Sequence, residues 1–128
     1  MGENGKIDKR RFPRAGAKFL MEYKVCRPIE AVKMAGTDNK NALMMDLGEG
    51  GAAFVAEYNL PVGSVLEIKF MIITRDYSGK AQHKKIVIMS EVKNSTSLGR
   101  NEYRIGIEFM QMDDEKRKVL DAFVRSKQ

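Results

Sequence analysis

The chain has 128 residues, with 23 Lys and Arg against 17 Asp and Glu, a formal charge of +6. That length accommodates one hydrophobic core, and a hydrophobic fraction of 43% is that of a folded domain rather than a disordered one. Its apolar runs fall far short of the roughly 20 residues that a membrane helix needs, so no membrane insertion is expected.

The first residues carry charge without an apolar stretch, so no secretory signal is expected. One cysteine, Cys26, cannot form an internal disulfide, which predicts a reducing, cytoplasmic location. One His and one Cys are too few for a zinc site built from those types alone. A sequence pI near 9.5 suggests an anionic partner.

Residues 1–14 crowd Lys6, Lys9, Arg10, Arg11 and Arg14 together without any period and read as a flexible basic arm. The folded domain is expected over 15–128. Phe19, Met21, Tyr23 and Val25 alternate with Lys18, Glu22 and Lys24, the signature of a half-buried strand that ends at Arg27-Pro28. Glu30 to Ala35 is expected as a short strand. Leu43, Met45 and Leu47 alternate into Gly48-Glu49-Gly50-Gly51, and Phe54 and Ala56 continue as a strand up to Pro61.

Leu66, Ile68, Phe70 and Ile72 form a long strand, Arg75 to Lys80 a hairpin turn, and Ile86, Ile88, Ser90 and Val92 the return. Asn94 to Asn101 reads as a polar loop, and Tyr103, Ile105, Ile107 and Phe109 alternate again. The period then changes. Val119, Leu120, Phe123 and Val124 recur at spacings of three and four behind Asp113 and Asp114, which predicts a capped helix over 113–126. The fold class is therefore mainly β: a small antiparallel barrel of six or seven strands with a C-terminal helix over an open end or edge.

Gly48-Glu49-Gly50-Gly51-Ala52-Ala53 has the form G-x-G-x-x-A. A dinucleotide-binding helix must follow such a loop directly, whereas here a strand follows, so the stretch is a turn. Arg10 and Arg14, four positions apart around Pro13, present guanidinium forks suited to phosphate and to the O6/N7 edge of guanine. Taken together, Arg10-x-x-x-Arg14 and Asp46-x-Gly48-x-x-Gly51 resemble the two motifs of the PilZ family, R-x-x-x-R and D/N-x-S-x-x-G. The stretches Asn59 to Leu66 and Tyr103 to Phe109, followed by a helix, are also similar to that family, so the likeness covers residues 9–125.

The resemblance implies a cytosolic receptor for cyclic di-GMP on a six-stranded barrel, relaying its signal to a protein partner. Arg10 and Arg14 would contact phosphates and guanine edges, and Asp46 would accept from guanine N1–H and N2–H. Gly51 would allow close backbone approach, and Lys9 and Arg11 would add electrostatic attraction. Gly48 departs from the family pattern by removing the serine hydroxyl, and no Trp is present to stack on a base. No cofactor is implied beyond this ligand.

Nothing in the sequence assembles a nucleophile, a base and an oxyanion site, so no enzyme is expected. His83 is expected to be exposed, Cys26 to be a small core residue, and Asp113-Asp114-Glu115 to be a helix cap. A PilZ-like interaction module that has lost the nucleotide is the alternative reading. A basic barrel binding RNA or single-stranded DNA is disfavoured, because most aromatics lie on core-facing positions.

Overall fold

The computed structural model describes residues 14–126. In chain order the elements are β1 (Arg14–Arg27), α1 (Ile29–Ala35), β2 (Lys40–Gly48), β3 (Gly51–Ala56), β4 (Val65–Arg75), β5 (Ala81–Gly99), β6 (Glu102–Phe109) and α2 (Asp114–Ser126). The six strands close into a barrel in the order β1-β2-β3-β6-β5-β4, with every pairing antiparallel. Closure leaves no unpaired sheet edge around the ring, which a small all-β domain must otherwise cover.

The alternation seen in the sequence fills the interior. Met21, Tyr23 and Val25 of β1, Leu66, Ile68 and Phe70 of β4, Ile86 and Ile88 of β5, and Ile105 and Ile107 of β6 are all buried. One end is plugged by α2, which buries Leu120, Phe123 and Val124 and packs on β1, β2 and β4. The Phe19 ring lies 5.9 Å from Phe70 and 6.4 Å from Phe123. The expected cap is present: the Lys116 backbone N–H donates to Asp113 Oδ1 at 2.7 Å, supplying an acceptor to the first helical turn.

Four sequence expectations are corrected. Glu30 to Ala35 is helical, part of α1, because Ala31 and Ala35 stand one turn apart and both are buried. Good helix formers fill the segment, and Gly36 at φ 91° ends it. The Leu43/Met45/Leu47 alternation is interrupted by a register shift between Met44 and Asp46. Met44 and Leu47 therefore both enter the core while Leu43 is exposed, as a bulge requires.

Asn94 to Gly99 continues β5, pairing with β6 as far as Gly99↔Glu102. Its polarity marks a solvent-exposed ribbon rather than a loop. Cys26 is exposed, not a core residue. The expected hairpin turn is present: Asp76 Oδ1 accepts from the Ser78 and Lys80 backbone N–H groups, and Gly79 takes φ 86°.

Candidate functional site

The bulge in β2 decides where the sequence motif points. With Met44 and Leu47 both inward, Asp46 is turned to the outer face of the barrel. It opposes Ala53 of β3, which opposes Gly106 of β6, which opposes Asn94 of β5. The row Asp46–Ala53–Gly106–Asn94 thus crosses four strands. Ile105 and Ile107 belong to the core, so Arg104, Gly106 and Glu108 share this outer face by the two-residue period of a strand.

Together these residues line a cavity of about 440 Å³, whose wall also includes Gly48, Gly50 and Lys93. Small residues make its floor concave. The Asn94 side chain lies over Gly106, where an added Cβ would stand 2.6 Å from its Oδ1. The cavity is polar at its rim. Asp46 is buried at 5% exposure, and Arg104 Nη2 lies 3.9 Å from Asp46 Oδ2. Lys93 stands between Glu108 at 3.3 Å and Glu91 at 3.6 Å, and a hydrogen bond to Glu108, then the Glu91 charge, holds its ammonium above the usual lysine range.

Among the residues singled out in the sequence, Asp46, Gly48 and Gly51 converge on one corner. Arg14 joins them through its backbone, which pairs with Gly48 in the β1–β2 ladder. Lys9, Arg10 and Arg11 lie outside the described residues. Gly51 has a reason internal to the sheet: a Cβ there would collide with the Ile107 carbonyl oxygen. The adjacent Gly50 carbonyl accepts from the Phe109 N–H at 2.9 Å. His83 pairs with Ile73 on the β4–β5 ribbon and is exposed, apart from the cavity lining.

Sequence reading missed Lys93, Asn94, Arg104, Gly106 and Glu108 as members of this site. Strand parity alone places Arg104, Gly106 and Glu108 on one face. What was lacking was the register that sets that face beside Asp46.

A protein-family model described as the PilZ domain matches residues 8–126. Comparison with curated proteins finds no match. Among solved structures, the chain is similar to Bacillus subtilis inhibitor of motility (MotI/DgrA), at 15% identity and a TM-score of 0.67, over 98% of this chain and 56% of that one. It is similar to the PilZ domain of YcgR from Escherichia coli, solved with c-di-GMP, at 14% identity and a TM-score of 0.63, over 94% of this chain and 92% of that one. MrkH of K. pneumonia matches at 17% identity and a TM-score of 0.62, over 94% and 51%. The chain thus spans little more than half the length of MotI and of MrkH.

Proposed function

The chain belongs to the PilZ domain family, and on that basis we propose that it is a cytoplasmic, non-enzymatic receptor for cyclic di-GMP. The reading is supported above all by the Arg14↔Gly48 pairing, which joins the root of the arginine-rich segment to the corner holding Asp46. Structural relatives solved with this ligand, the YcgR domain and MrkH, share the fold.

The division of labour follows from the ligand's chemistry. Asp46 accepts from guanine N1–H and N2–H, and the small-residue floor of Gly48, Ala53 and Gly106 receives the flat base. Arg10 and Arg14 take phosphate and the Hoogsteen edge, with Lys9 and Arg11 adding attraction. Binding then orders the arm against the barrel and presents a new surface to a protein partner, the ordering entropy being offset by the charge-assisted bonds. No helix among the described residues is long and apolar enough to cross a membrane, and the signal passes by protein contact.

Gly48 favours a second reading. A protein without the motif hydroxyl loses about 0.5–1.5 kcal/mol of binding, and a module acting through protein contacts alone would tolerate that loss. Isothermal calorimetry with cyclic di-GMP separates the two. A receptor gives a saturable heat that Arg10→Ala diminishes; a ligand-free module gives none at any concentration, for either protein.

A further inference from the structure

We propose that Arg104 donates to guanine O6 from the Watson–Crick side, working beside Asp46 as the donor half of a two-residue reader of that edge. The inference rests on the receptor reading above and assigns a specificity role to a side chain outside both sequence motifs. Arg104 projects from the outer face of β6, between Val55 of β3 and Thr96 of β5, and lines the same cavity as Asp46. Its Nη2 is 3.9 Å from Asp46 Oδ2, an ion pair rather than a hydrogen bond, so its N–H donors are not spent on the carboxylate. The side chain is 40% exposed.

The chemistry of the base completes the argument. Along its Watson–Crick edge guanine presents O6 as an acceptor, then N1–H and N2–H as donors. A carboxylate that takes the two donors leaves O6 next to it, facing whatever lies beside the carboxylate. In this cavity that neighbour is a guanidinium, with five N–H donors and no acceptor. Adenine presents the opposite order there, an amino donor followed by the N1 acceptor, so Arg104 faces N6–H₂ and Asp46 faces a lone pair.

The other polar groups of the cavity are less suited. The Lys93 ammonium stands between Glu91 and Glu108, and the Asn94 amide lies over the Gly106 backbone. Among the described residues that line the cavity, Arg104 is the cation that forms an ion pair with Asp46.

The test titrates wild type, Arg104→Ala and Arg104→Gln with cyclic di-GMP, cyclic di-IMP and cyclic di-AMP. Amide NMR shifts are followed to millimolar ligand, with the unliganded spectra serving as the fold control. Inosine keeps O6 and N1–H, so both O6-bearing ligands are expected to lose roughly ten- to hundredfold in affinity on Arg104→Ala, while cyclic di-AMP loses nothing. Arg104→Gln, which keeps an N–H donor without the charge, is expected to recover part of the loss.

Equal weakening of all three ligands by Arg104→Ala would make the residue a phosphate contact and overturn the proposal, as would unchanged binding of cyclic di-GMP. Wild-type protein that binds none of the three overturns the receptor reading itself. Wild type that binds cyclic di-GMP while Arg104→Ala binds it equally well overturns only the role of Arg104.

Discussion

The backbone of Arg14 lies opposite that of Gly48 in the β1–β2 ladder, so two motifs separated along the chain are joined by the sheet itself. The last arginine of the first motif does not have to search for the second. On the receptor reading, Arg14→Ala is expected to weaken cyclic di-GMP binding at least tenfold, and to flatten its salt dependence, because a charge-assisted contact is removed. Calorimetry at two ionic strengths checks both.

Gly48 stands where the family motif has serine. Restoring the hydroxyl with Gly48→Ser is expected to tighten binding up to about tenfold, the worth of one added hydrogen bond. An affinity unchanged in a direct titration would mean that the ligand lies away from this corner.

Gly51 separates a fold requirement from a ligand requirement. A Cβ at this position would meet the Ile107 carbonyl oxygen, a backbone atom of the paired strand that cannot swing aside. Gly51→Ala is therefore expected to cost about 1–3 kcal/mol of stability without any ligand present, as overpacking does. A lowered urea midpoint in the unliganded protein is the outcome that matches; an unchanged midpoint would assign Gly51 to ligand approach instead.

Tyr23 is 1% exposed inside the barrel, and its ring stands 5.1 Å from that of Phe54. Burial, followed by the charges of Tyr58 and Glu57, pushes its hydroxyl well above the usual tyrosine range. The unfolded chain releases this proton near pH 10 while the folded one retains it. The stabilisation is thus complete below pH 10 and is lost as pH rises toward the folded-state value. Between those limits the slope is at most about 1.4 kcal/mol per pH unit. Chemical denaturation at pH 8 and pH 11 is expected to show a smaller alkaline loss for Tyr23→Phe than for wild type.

Much of the architecture was legible because a strand repeats every two residues and a helix every three to four. Tyr103 to Phe109 and Val119 to Val124 announce themselves without any partner. The segments that misled are those where that rule is suspended. Glu30 to Ala35 is too short to show a period, and its helix is decided by Ala31 and Ala35 being buried on β1. Asn94 to Gly99 is exposed, so its strand leaves no hydrophobic trace. The bulge after Met44 moves the inward phase by one residue, which no count of apolar positions anticipates.

Composition and local pattern by themselves determined a β-barrel with a terminal helix, and the resemblance of its motifs to those of the PilZ family picked out Asp46, Gly48 and Gly51. Only the folded chain decided what stands beside them. Arg104 comes to 3.9 Å from Asp46, and Asn94 joins the same row of the sheet, through cross-strand register and the β2 bulge. Register is set by the closure of the whole sheet, a property of all six strands at once that no single segment encodes.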